Sequence, residues 1–158
     1  MSVAFRRESD EEHLEPKFEL PLPPGPNLVT ARGLALIGAK VDALNLALGD
    51  AGGDAGGDAA RDVIRRDLRY WRARQSTAVI APIPAGDTVA FGTHVTFTLD
   101  GAPRSMIIVG SDEADPASNR VTFTAPLARA MMGLTVGDVA DFGGNVDAIA
   151  IVAITAIT

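Results

Sequence analysis

Cysteine is absent from all 158 residues. This excludes disulfides and thiolate zinc sites and agrees with a reducing compartment. Aromatic residues are only 5% of the chain against 47% hydrophobic residues in all, so a core must be built mostly from Ala, Val, Leu and Ile. Histidine occurs twice, as His13 and His94, too far apart in sequence to suggest a two-histidine metal site. An excess of positive charge is also missing. The formal net charge is −6, the opposite of the basic footprint of a nucleic-acid binder. No long apolar run exists: Val146 to Ile157 is interrupted by Asp147 and Thr155 and is too short to span a bilayer. The first 22 residues are charged and lack the apolar stretch of a signal peptide. The expectation is a soluble, cytoplasmic protein with no membrane partner.

What is present divides into three parts. Residues 1–27 carry Glu8, Asp10, Glu11, Glu12, Glu15 and Glu19, then Pro21, Pro23, Pro24 and Pro26. Proline lacks a donor and disfavours helix before it, and so acidic a segment buries too little apolar surface to offset its ordering entropy. A solvated tail is expected, with a contact arm for a basic surface as the alternative.

Residues 28–80 read as an antiparallel helical hairpin. Thr30 is a candidate N-cap. Leu34, Ile37, Val41, Leu44 and Leu48 follow at spacings of three and four, the rhythm of a coiled-coil seam, up to a stop at Gly49. Residues 49–58 repeat Gly, Asp and Ala, poor helix material that reads as a loop, with Asp58 capping the next helix. A second series runs Ile64, Leu68, Trp71, Gln75, Ala78. Its helix carries Arg61, Arg65, Arg66, Arg69, Arg72 and Arg74. These form either a solvated face paired with Asp62, Asp67 or the acidic tail, or a guide along a partner's wall. Tyr70 and Trp71 are expected to pack where the hairpin meets the next module.

Residues 81–158 change period. Val95, Phe97 and Leu99 alternate on one strand face. Asp100-Gly101 signals a two-residue hairpin turn, and Ser105 to Val109 returns. Arg120 to Thr124 is a further strand, and Pro126 to Met132 a short helix with proline in its first turn. Val136 to Phe142 and Val146 to Ile157 close the sheet. The fold class is α+β: an N-terminal hairpin, then an antiparallel sheet with one short helix.

One cluster stands out chemically. Asp112, Glu113 and Asp115 sit directly after a strand. Acid/base or metal chemistry is disfavoured, because no nucleophile, histidine or phosphate cradle accompanies them. A turn with local side-chain hydrogen bonds and a partner contact both remain open. Arg129 is either an ion-pair partner or a docking residue.

Val109-Gly110-Ser111-Asp112-Glu113-Ala114-Asp115, then Pro126-Leu127-Ala128-Arg129-Ala130-Met131-Met132-Gly133 and Val136-Gly137-Asp138, resemble the C-terminal domain of the GreA/GreB bacterial transcription elongation factors. Val89-x-Phe91-Gly92-x-x-Val95 is similar to that domain's first strand. Asn27-Leu28-Val29-Thr30-x-x-Gly33 is similar to the start of the family's first helix, and Arg66 to Trp71 to the end of its second. The resemblance implies a coiled coil joined to an FKBP-like domain. It also implies a monomer that is not itself an enzyme and binds RNA polymerase. Docking would run through the C-terminal domain at Asp112, Glu113, Asp115, Pro126 and Arg129. The coiled coil would lie at or in the secondary channel, in indirect contact with the RNA/DNA complex. In the family, acidic tip residues help hold a second Mg²⁺ while the polymerase cleaves its own backtracked RNA. Here only Asp50, Asp54 and Asp58 stand near the tip. No intrinsic cofactor is expected beyond that shared Mg²⁺. The arms are short, and the family's acidic tip motif has no match. Two mechanisms therefore compete: transcript cleavage through those aspartates, and channel occupancy without cleavage, as in relatives resembling Rnk. Ala125 replaces the family's usual Ser before the proline, and Phe142-Gly143-Gly144 its Pro-Gly-Gly. Two rivals from other classes are a standalone interaction protein and a peptidyl-prolyl isomerase. The isomerase would need an aromatic pocket, and only Phe91, Phe97, Phe123 and Phe142 are available from residue 79 on.

Overall fold

The structure is a computed structural model that describes residues 19–51 and 57–157. The elements in chain order are β1 (Leu28–Val29), α1 (Ala31–Asp50), α2 (Gly57–Thr77), β2 (Val79–Ile80), β3 (Thr93–Leu99), β4 (Ala102–Val109), a 3-10 turn (Pro116–Ser118), β5 (Arg120–Thr122), α3 (Pro126–Met131), β6 (Val139–Phe142) and β7 (Asn145–Ala156). Among the described residues no helix is long and apolar enough to cross a membrane. The expected tail lies outside the described residues as far as position 18, as does Asp54.

The hairpin follows its apolar periodicity. Thr30 caps α1, its hydroxyl accepting from the Gly33 amide at 2.9 Å, which satisfies one orphan donor of the first turn. Ile37 and Val41 bury themselves against α2, whose Leu68 is 2% exposed. At 20 residues, α1 is about 30 Å long. It runs one residue past Gly49 before Ala51 closes it. In α2 the seam departs from expectation at its end: Gln75 is exposed and Arg74 is buried.

The hairpin's two ends are stitched together by a small sheet that periodicity did not indicate. β1 and β2 pair in parallel, Leu28 with Val79 and Val29 with Ile80. Two residues per strand are too few to register as an alternating pattern.

The main sheet has the order β5-β4-β3-β7-β6. The β3/β4 hairpin turns at Asp100-Gly101, where both residues have positive φ, 49° and 82°, the type I′ geometry that follows strand twist. Val95, Phe97, Met106, Ile108, Ile149 and Ile151 line one sheet face, and Ala128 and Met131 of α3 cover it. This is the antiparallel sheet with one short helix that the sequence suggests, with one amendment. β5 pairs in parallel with β4, Ile107 with Arg120 through Val109 with Thr122. The chain crosses over through the 3-10 turn instead of folding back directly. Ala125 supplies no side-chain cap to α3, as its methyl group dictates. Asp138 of the Val136-Gly137-Asp138 turn accepts from the Thr135 amide at 2.8 Å and hydroxyl at 3.0 Å, which holds its carboxyl below the usual range.

Candidate functional site

The loop leaving β4 delivers the acidic cluster to the base of the hairpin. It begins at Gly110, where a Cβ would overlap the Leu28 carbonyl oxygen of β1, so only glycine lets the two backbones meet. The next turns aim two carboxylates at two different helices.

Asp112 takes α2. One oxygen accepts from the Tyr70 hydroxyl and the other from Arg74 Nε at 2.6 Å. The Arg74 and Asp112 side chains are 5% and 6% exposed. A charge pair this far from water is worth little against an apolar substitute, but removing one partner strands the other. Burial, then the bond to Asp112, pushes the Tyr70 phenol up to about 12. The Arg74 carbonyl also accepts from Asn27 Nδ2 at 2.8 Å, tying α2 to the segment just ahead of β1. Tyr70 stacks edge-on against Trp71, and Lys40 of α1 sits over the Trp71 ring.

Glu113 takes the start of α1. It accepts from the Thr30 hydroxyl, the same group that caps the helix, and from Arg32 Nη1 at 3.0 Å. Arg120 of β5 approaches the same carboxylate at 3.9 Å. The Glu113 side chain is 2% exposed. Two neighbouring residues of one loop thus hold the first turn of α1 and the last turns of α2.

The five residues expected to meet a partner therefore part company. Asp112 and Glu113 face inward and are engaged within the chain. Asp115 stays exposed and caps the 3-10 turn, accepting from the Ala117 amide at 3.1 Å and the Ser118 hydroxyl at 2.9 Å. Pro126 and Arg129 are exposed on α3, one turn apart and opposite the buried Ala128 and Met131. Pro116 and Leu127 line one groove with Thr96 and Arg104, so the Asp115 turn and the start of α3 border the same depression. Thr30, Arg32, Tyr70 and Arg74 complete the clamp. Thr30 and Tyr70 had a local signal, a cap and an aromatic pair. Arg32 and Arg74 had none that set them apart from the other arginines.

The remaining arginines form the solvated face. Arg65 pairs with Asp62, Arg66 with Asp67 and Arg69 with Glu19, and Arg72 donates to Asn45 at 2.7 Å. At the tip, Asp50 is exposed, and Asp58, its side chain 91% exposed, lies 3.5 Å from Arg61. Among the described residues no group of three His, Cys, Asp or Glu side chains is placed to hold a metal ion.

The model of the family "Transcription elongation factor, GreA/GreB, C-term" matches residues 84–158. GreA of Maricaulis maris (strain MCS10) is 41% identical over 59 residues, 36% of this chain and 38% of that protein. GreA of Bacillus licheniformis is 44% identical over 54 residues, 33% of this chain and 34% of that protein. The matched stretch thus spans little more than a third of the length of these curated relatives. Among solved structures, GreA factor homolog 1 of Thermus thermophilus is 20% identical, covering 83% of this chain and 99% of that one, with a TM-score of 0.37. The GreA/GreB factor of Nitrosomonas europaea is also 20% identical, covering 84% and 99%, with a TM-score of 0.38. The sheet module of residues 84–158 is thus similar to the C-terminal domain of the GreA/GreB factors.

Proposed function

We propose that the protein is a transcription elongation factor that binds bacterial RNA polymerase through its C-terminal module and holds its short hairpin at or in the secondary channel. It acts as an accessory factor, any RNA cleavage being performed by the polymerase. The observation that carries this reading is the clamp. The segment that most resembles the family, Val109 to Asp115, is also the segment that grips both helices of the hairpin. A factor that docks by one module and works through another needs the second held at a set angle to the first, because positioning is what such a device contributes. Asp115, Pro126 and Arg129 are the contact residues in this reading, and Asp112 and Glu113 set the hairpin's direction.

Of the two mechanisms, channel occupancy without cleavage has a specific observation in its favour. A second Mg²⁺ would stabilise charge on the reacting oxygens and would need carboxylates held toward it. Asp58 instead leans on Arg61, and Asp50 lies at the far end of α1.

The test is a stalled, backtracked bacterial elongation complex supplied with Mg²⁺ and this protein. The expected result is no acceleration of 3′ RNA release, together with competition against an authentic cleavage factor. Accelerated release that disappears when Asp50, Asp54 and Asp58 are all changed to Ala would replace occupancy by cleavage. Neither acceleration nor competition would remove the polymerase as partner and leave a standalone interaction protein.

A further inference from the structure

The first helix carries a second apolar seam that the hairpin does not use. Leu36, Ala39, Ala43 and Leu46 recur at spacings of three, four and three. At about 100° per residue they fall within about 40° of the direction opposite Val41, the residue buried against α2. Leu36 and Leu46 are 39% and 69% exposed, and Ala39 and Ala43 are exposed as well. The same stripe extends by one spacing of four at each end, to Arg32 and to Asp50. Helices of soluble proteins that are apolar on two faces are ordinarily covered on both.

The order of residues along this stripe says what would cover it. About Val41 the stripe reads as its own reverse, and the rest of the helix does so in part, since Gly38 falls on Leu44 and Ile37 on Asn45. Ala39 mirrors Ala43, Leu36 mirrors Leu46, Ala35 mirrors Ala47, Leu34 mirrors Leu48 and Gly33 mirrors Gly49. The end charges mirror with opposite sign, Arg32 against Asp50. We propose that a second copy of this chain docks here, α1 against α1, antiparallel about a two-fold axis at Val41. The symmetry operation brings Leu36 opposite the partner's Leu46, Ala39 opposite its Ala43 and Arg32 opposite its Asp50, twice over. An interface of this kind is self-complementary, as a two-fold contact must be. The alanines at the centre let the helix axes approach closely, and the leucines flank them. A parallel arrangement would set Arg32 against Arg32 and Asp50 against Asp50. Arg32 gives one guanidinium nitrogen to Glu113 yet leaves its side chain 51% exposed, so it can serve both contacts. Lys40 and Asp42 fall at the two rims of the seam, and Lys40 is turned onto Trp71. One helix pair about 30 Å long makes a small interface, so the dimer is a weak one. The inference stands independently of the polymerase reading.

The full chain tests it by sedimentation velocity. The mass should rise from 16.4 kDa toward twice that value between about 5 µM and about 200 µM, the range expected of a small interface. Ala43→Glu puts like charges near the axis while keeping a good helix former. It should weaken association at least about tenfold with the circular dichroism spectrum unchanged. Orientation is read from thiols, since the chain has none of its own. An equimolar mixture of Ala39→Cys and Ala43→Cys proteins should oxidise mainly to the mixed disulfide, as antiparallel pairing requires. Predominance of the two homodisulfides would overturn the antiparallel register. A dimer that ignores Ala43→Glu would place association elsewhere. A chain that stays monomeric throughout would overturn the proposal and leave the stripe to a helix of another protein.

Discussion

The two ends of the hairpin use the same residue types to opposite effect. At the base, an arginine and an aspartate are 5% and 6% exposed and locked by further hydrogen bonds from Tyr70 and Asn27. At the tip, Asp58 is 91% exposed beside Arg61, in water, where such pairs contribute little. Acidic side chains therefore act as structure at one end and as solvated charge at the other. Solvent access decides between these roles. A buried carboxylate must have its partners, and having them, it fixes geometry. An exposed one leaves the chain's geometry open.

This contrast breaks most readily at the base. Asp112→Ala strands the buried Arg74 and should cost about 3–5 kcal/mol. Urea unfolding followed through Trp71, the only tryptophan, reads it at the hairpin itself. A loss below about 1 kcal/mol would reduce the clamp to an ordinary surface pair. Gly110→Ala comes next. The added methyl meets the Leu28 carbonyl, and the backbone shift it forces should cost about 1–3 kcal/mol. Amide exchange at Val79 and Ala81, which donate to Asn27 and Val29, should quicken in this variant. Unchanged exchange would mean that β1 moves away freely.

A pH titration sharpens the comparison without mutation. Tyr70 is the single tyrosine, and its pKa in the folded chain stands at about 12 against an ordinary 10.0. A raised pKa means that the neutral phenol favours the folded state. Its stabilisation is whole below about pH 10 and is lost as pH rises from about 10 to about 12. Tyrosinate absorbance should show the high midpoint, and Asp112→Asn should lower it by weakening the acceptor. A midpoint near 10 in the unaltered chain would place Tyr70 outside the clamp. The smallest effect belongs to the tip. Asp58→Ala should change stability by no more than about 0.5 kcal/mol in the same urea assay, and a loss like that of Asp112→Ala would erase the difference between the two ends.

Much of this architecture was legible in the chain as written, because the forces that produce it are local. The seam of Leu34, Ile37, Val41, Leu44 and Leu48 states a helix and its buried face. Asp100-Gly101 states a turn because few residue pairs accept positive φ twice. Pro126 opens a helix because it lacks the donor that a first turn cannot use. The alternation of Val95, Phe97 and Leu99 states which sheet face turns inward. The motif of residues 109–115 likewise marked the likeness to the GreA/GreB C-terminal domain before any contact was visible.

The candidate site was legible only as a location. Nothing local separates Arg74 from the five other arginines of α2, or tells Asp112 and Glu113, which turn inward, from Asp115, which turns out. Those fates depend on where the hairpin base comes to rest on the loop after β4, a meeting of residues some 40 to 80 positions apart. The parallel pairs β1/β2 and β4/β5 have the same origin, being too short to show a period and joined only by tertiary packing. The sequence by itself determined the longer elements, their inward faces and the likeness to a family. Tertiary structure alone decided which charges left water, because desolvation is set by everything that surrounds a side chain and not by its neighbours in the chain.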